Sequence, residues 1–134
     1  MKLSVVAIVA MLSFLNLYSQ QSNLHTSAAV GEKIYLKKCA VCHGKDGLGK
    51  RERIPPLANS DYLINNKEAS IKGILFGQNE KITVNGKSYD RKMKAIKLSD
   101  VEIANVMNYI QNSWGNKNDK AVTAKEVFKI RNAN

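Results

Sequence analysis

The segment Lys37–Lys50, KKCAVCHGKDGLGK, holds both cysteines of the chain, Cys39 and Cys42, with His43 directly behind them. Cysteines spaced in this way serve three chemistries: a dithiol–disulfide couple, part of a metal site, or the anchor of a covalent cofactor. A redox Cys-x-x-Cys pair sits beside a βαβ unit, and the chain lacks the long strands and the β/α alternation such a unit needs. A structural zinc site wants four ligands in tetrahedral array. The only other histidine is His25, and the adjacent Cys42-His43 pair does not match the separated histidines of zinc fingers.

The third chemistry uses every residue of the motif. Cys39 and Cys42 can add to the two vinyl groups of a haem as thioethers, and His43 then lies beside the ring and reaches the iron from one face. Cys-x-x-Cys-His is the attachment signature of haem c. The opposite face of the iron calls for an imidazole or a soft sulfur ligand. His25 precedes the attachment helix in a polar stretch expected to be a solvated spacer. Met1 and Met11 belong to the N-terminal leader, and Met107 lies on the apolar stripe of a long helix, where core packing accounts for it. Met93 remains. It stands alone between Lys92 and Lys94 in a non-helical segment, where an apolar side chain has reason to be only if it turns inward. Met93 is the expected sixth ligand.

The N-terminus fits that chemistry. Lys2 is followed by the apolar run LSVVAIVAMLSFLNLY and then by SQQSN. Such a run is short for a bilayer span, which takes roughly 20 residues, and reads as a secretory signal over residues 1–20. An uncleaved anchor is the alternative. Export places the mature chain in the periplasm or a comparable compartment, with no membrane span unless the leader is kept. The whole chain carries 21 Lys and Arg against 11 Asp and Glu, a net charge of +10. Export excludes most nucleic-acid readings of that charge, and no nucleic-acid partner is expected. Seven lysines (37, 38, 45, 50, 92, 94 and 97) flank the two ligand segments. If those segments converge, they give the haem a positive rim suited to acidic redox partners.

Local patterns divide the rest. Residues 21–27 read as a flexible spacer. A helix is expected from Ala28 to Ala40, capped by Ser27, with Val30, Ile34 and Leu36 or the Lys37 stem on its buried side. Glycines and Pro55-Pro56 exclude regular structure between His43 and Ser60. Short helices follow near Asp61–Ile64 and Glu68–Phe76, the second stopped by Gly77. Asn85-Gly86 between β-branched runs signals a two-residue hairpin. Ser99 and Glu102 form a capping box ahead of Ile103, Val106, Met107 and Ile110 at i, i+3, i+4 and i+7, and Gly115 is the expected C-cap. Thr123 and Glu126 repeat the box before a last helix, Ala124–Arg131. The expected division is a domain over residues 28–116 and a C-terminal tail over residues 117–134.

Taken together, GEKIYLKKCAVCHG, IPPLANSDYL, ITVNGKSY, Met93 and LSDVEIANVMNYIQNSWGN resemble the class I c-type cytochromes, in particular small bacterial monohaem domains. The resemblance implies an all-α, cytochrome c-like fold wrapped round one covalent haem c, with a short β-hairpin before the sixth-ligand loop. It implies that Gly31 and Tyr35 of the first helix meet Tyr109 of the last. It also implies that a proline carbonyl, of Pro55 or Pro56, accepts a hydrogen bond from His43. One departure stands out: the ligand methionine of such proteins is often followed by proline, and Met93 is followed by Lys94.

A haem held by histidine and methionine has no vacant position for substrate. The expectation is therefore an electron carrier, not an enzyme in its own right. The alternatives are a haem sensor or gas binder with a labile Met93, and an electron-transfer subunit of a larger periplasmic oxidoreductase. The ending VTAKEVFKIR resembles cytochrome domains attached to such enzymes.

Overall fold

A computed structural model describes residues 2–133; within the first helix, side chains are described for residues 7–13 and from residue 23 onward. Among the described residues there are six α-helices and one two-stranded antiparallel hairpin, a predominantly helical cytochrome c-like fold as expected. The elements are α1 (Lys2–Lys38), α2 (Ala40–His43), α3 (Asp61–Asn65), α4 (Lys67–Phe76), β1 (Ile82–Val84), β2 (Lys87–Tyr89), α5 (Asp100–Ile110) and α6 (Ala124–Asn132).

Helix α1 departs from expectation at its start. It runs unbroken through residues 21–27, so these form helix and not a flexible spacer. The reason is compositional: no glycine or proline interrupts the chain before Gly31, and nothing else there breaks a helix. Ser27 is consequently mid-helix and caps nothing. Its hydroxyl donates to Asn105 Oδ1 at 2.7 Å and accepts from Asn108 Nδ2 at 2.8 Å, fastening α1 to α5. The buried side of α1 is Gly31, Ile34 and Tyr35; Val30 and Leu36, expected there, are about half exposed. Among the described residues no helix is long and apolar enough to cross a membrane.

Helices α1 and α5 cross at Gly31. A Cβ there would run into the Asn105 carbonyl and reach 2.9 Å from Tyr109 Cβ, so only glycine lets the two backbones touch. Around this crossing lie Tyr35, Leu63, Ile71, Ile74, Ile103, Val106, Met107 and Ile110, closed off by Val127 and Ile130 of α6. Each such side chain taken fully out of water stabilises the fold by roughly 1.5–3 kcal/mol. The apolar stripe of α5 is buried as its spacing predicted, and the Ser99–Glu102 capping box is complete. Gly115 is not the cap: α5 ends at Gln111, and the chain turns onward through a left-handed Trp114 before it reaches Gly115.

The hairpin forms as the sequence predicted. Asn85 and Gly86 have φ of 51° and 75°, the left-handed pair that a two-residue turn demands, and Val84 pairs with Lys87. Its tip is held against α3 by a reciprocal pair, Asp61 N–H to Asn85 Oδ1 and Asn85 N–H to Asp61 Oδ1. Helix α6 starts at Thr123, whose hydroxyl accepts from the Glu126 N–H. The Glu126 carboxylate turns to Lys67 on α4, 2.6 Å away.

Candidate functional site

The short turn of α2 carries Cys39, Cys42 and His43 to the mouth of a cavity of about 600 Å³. Its walls come from α2, the Ile54–Leu57 loop, α4, the hairpin, the Arg91–Lys97 loop and α5. Every residue singled out from the sequence lines it: Cys39, Cys42, His43, Pro55, Pro56 and Met93. The rest of the lining is mainly apolar, with Leu63, Ile74, Val84, Val106, Met107 and Ile110. Met107 is fully buried in the core and also faces this space. His25 lies on α1, exposed.

His43 Nδ1 lies 3.2 Å from the Pro55 carbonyl oxygen. A carbonyl only accepts, so this bond needs the proton on Nδ1 and leaves the Nε2 lone pair free for a metal. Burial holds the imidazole below its ordinary pKa, against the opposing pull of the Pro55 carbonyl. The ring is therefore neutral, the form that ligates. Cys39 is pushed up to about 11 by burial, with Cys42 adding to the effect. A thiol protonated at neutral pH is unlike the acidic thiolates of disulfide exchange enzymes. No disulfide joins Cys39 to Cys42. Among the described residues no group of three His, Cys, Asp or Glu side chains is placed to hold a metal ion.

The Met93 segment is stiff without a following proline. Met93 and Gln78 exchange both backbone hydrogen bonds at 2.9 Å, and Ile96 N–H donates to Ile74 O at 2.9 Å. Gly77 permits this: with φ of 90°, it ends α4 where a Cβ would stand 2.7 Å from Met93 O. Farther along the loop, Arg131 of α6 donates through Nη2 to Leu98 O at 3.1 Å and through Nε to Asp100 Oδ1 at 2.8 Å.

Several contributors have no signature in the sequence. Asn116 is 8% exposed. Its amide donates to Leu57 O (2.6 Å) and Ile110 O (2.8 Å), and its carbonyl accepts from Ser60 N–H (3.0 Å). It ties the loop that follows Pro56 to the end of α5. Trp114 joins the expected Tyr35–Tyr109 pair: its ring lies 4.9 Å from that of Tyr35 and 5.3 Å from that of Tyr109, and it packs on Gly47. The Tyr35 hydroxyl donates to Gly44 O at 2.6 Å, fixing the end of the attachment turn. Asn and Trp residues near a helix end are common; only the folded chain shows which carbonyls and rings they reach.

Six basic residues line the cavity mouth, all exposed: Lys38, Arg53, Arg91, Lys92, Lys94 and Lys97. One acid, Glu80, stands among them. Four lysines of the expected rim are thus in place, Lys37, Lys45 and Lys50 are not in the lining, and Arg53 and Arg91 join it.

The cytochrome c family profile matches residues 28–114. This chain belongs to the cytochrome c family. It is 38% identical over 117 residues to a cytochrome c-552 of Thermus thermophilus, covering 81% of this chain and 78% of that protein. It is 32% identical over 103 residues to the cytochrome c subunit of the quinone alcohol dehydrogenase of Gluconobacter oxydans, covering 75% of this chain but 22% of that subunit. The gluconate 2-dehydrogenase cytochrome c subunit of Pantoea cypripedii is 31% identical, again over 75% of this chain and 24% of the relative. This cytochrome c domain thus spans about a quarter of the dehydrogenase subunits it matches. Members of the family transfer electrons on covalently bound haem c. The residues of this chain fit such a group. The cavity is within the roughly 300–1,000 Å³ of small-molecule sites. Its walls are apolar, and its donors are two thiols, a neutral imidazole and a thioether.

Proposed function

We propose that this chain is an exported one-electron carrier whose single haem c is attached through Cys39 and Cys42. His43 and Met93 would hold its iron. The observation that carries this reading is the convergence of these four side chains, 54 residues apart at the extremes, on one apolar cavity. When bound, the haem supplies a reversible ferrous–ferric couple.

The polypeptide does the rest. Pro55 O holds the Nδ1 proton of His43, which fixes the ring and keeps Nε2 available. The thioether of Met93 favours the ferrous state relative to a second imidazole. Leu63, Ile74, Val84 and Ile110 exclude water, lowering the local dielectric and so disfavouring the added charge of the ferric form. The Gln78–Met93 pair of backbone bonds holds the Met93 segment in place, so that its thioether would occupy the position that oxygen or peroxide needs. The basic mouth steers acidic redox proteins and keeps encounters brief.

A second reading has a specific support. The similarity to dehydrogenase cytochrome subunits favours a dehydrogenase as electron donor, with this chain acting as its detached or subunit-borne acceptor. The deciding experiment is a reduced-minus-oxidised spectrum and an intact mass of the chain matured with a haem-attachment system. The reading requires a low-spin haem c, one haem of added mass and no spectral change with carbon monoxide. A chain without added mass, or one that binds carbon monoxide at once, refutes it. Size exclusion of a native extract distinguishes free carrier from subunit.

A further inference from the structure

The chain has eight glycines, and the polypeptide itself accounts for seven. Six of them, at 44, 47, 49, 77, 86 and 115, have positive φ. The seventh, Gly31, is required by the α1–α5 crossing. The eighth, Gly73, has neither reason. It is the seventh of ten residues in α4, where glycine destabilises a helix relative to alanine. It is buried, yet a Cβ built on it meets only Gln78 Cβ and Oε1, both at 3.9 Å, an ordinary contact distance. A buried glycine that could carry a methyl at ordinary contact distance costs helix stability for nothing the chain itself uses.

Gly73 lines the haem-sized cavity of about 600 Å³ together with Ile74, Met93 and Val106. From this geometry we infer that Gly73 is the clearance position of α4, where the helix gives up its side chain so that the haem lies against bare backbone. This rests on the haem reading above. Helix α4 is thereby a seat for the ring as well as a wall. Its two neighbours divide the work: Ile74 continues the apolar lining, and Lys72 turns outward to pair with Glu68 at 2.9 Å. Gly73 also borders a groove of about 610 Å³ between α4 and β1 on the outer surface. An occupant arriving from that side is the rival explanation, and spectroscopy separates the two.

The test compares haem-loaded wild type, Gly73→Ala and Gly73→Leu. In a helix interior with free space, glycine to alanine raises the thermal midpoint by roughly 2–8 °C. The expected result is that Gly73→Ala gains nothing or loses midpoint, with a shifted visible spectrum and reduction midpoint. Gly73→Leu is expected to leave most of the purified chain without haem by intact mass. The inference is overturned if Gly73→Ala gains those degrees with spectrum and reduction midpoint unchanged. It is equally overturned if only the rate with a redox partner changes, which would mark the outer groove. A wild type carrying no haem overturns the parent reading, a result separable from either. Should Gly73→Leu fail to accumulate, Gly73→Ala decides, because its added methyl clears every polypeptide atom.

Discussion

Replacing Asn116 should be among the costliest single changes outside the cavity, and its size follows from three hydrogen bonds. The side chain satisfies Ser60 N–H, Leu57 O and Ile110 O at 3.0, 2.6 and 2.8 Å. Ser60 is 3% exposed, so its N–H has no ready water to turn to. A net hydrogen bond contributes about 1 kcal/mol, and a buried group left unpaired costs about 1–3 kcal/mol. Asn116→Ala should therefore lose about 3–5 kcal/mol, a large fraction of the roughly 5–15 kcal/mol that holds a domain together. With a urea slope near about 1.5 kcal/mol per molar, the midpoint falls by roughly 2–3 M at unchanged slope. Asn116→Asp should do no better near neutral pH. It keeps an acceptor for Ser60 but sets a carboxylate oxygen against two carbonyl oxygens. Asn112→Ala is the control: its side chain donates to Asn108 O and accepts from the exposed Asn118 N–H, groups that can turn to water, so it should cost about 1 kcal/mol or less. The measurement is urea unfolding of the haem-loaded proteins followed by far-ultraviolet circular dichroism. A loss under about 1 kcal/mol for Asn116→Ala would refute the reasoning, since the loop would then be held by something else. The same change loosens the segment after Pro56, so the Pro55 bond to His43 weakens and the reduction midpoint should rise as the imidazole donates less.

Gly31→Ala forces a methyl into the Asn105 carbonyl; the helices must separate, and thermal melting should show a loss of at least about 2 kcal/mol. Met93→Ala should leave the visible spectrum able to respond to carbon monoxide in the reduced protein, where the wild type does not; an unresponsive variant would remove Met93 from the ligand set. Electron-transfer rates with an acidic partner should fall steeply between low and moderate salt, and Lys92→Glu with Lys94→Glu should flatten that dependence in a stopped-flow series. Glu102 has its pKa lowered by the backbone and hydroxyl of Ser99. Its capping contribution is present above the ordinary glutamate range and lost as pH falls through the lower folded value; melting curves from about pH 6 down to about pH 3 should lose that part of their slope in Glu102→Gln.

The proposed ligand chemistry is legible because it is local. Cys39, Cys42 and His43 carry their meaning within five residues, and Met93 declares itself as an apolar side chain with no local reason for its place. The hairpin, the α5 stripe and the Gly77 stop are readable for the same reason: turn dihedrals and helical spacing act over a few residues. The departures share a cause as well. Residues 21–27 read as a spacer from their polarity, yet polarity does not end a helix that meets no glycine or proline. Val30 is expected inward because the sequence does not say which side of α1 meets α5; Gly31 decides that, by contact with Asn105. Thr123 and Glu126 promise a capping box, and the Glu126 carboxylate goes to Lys67, a partner 59 positions away.

Residue identity and spacing alone thus gave the helical class and pointed to the residues proposed to hold the haem and grip the iron. Tertiary structure decided the choice of Pro55 over Pro56 as the acceptor for His43, and the hub role of Asn116. It also decided which cations surround the cavity mouth and made Gly73 conspicuous. Each of these depends on groups distant in the chain being set a few ångströms apart, and the direction of an isolated side chain carries no record of what the folded backbone will bring to meet it.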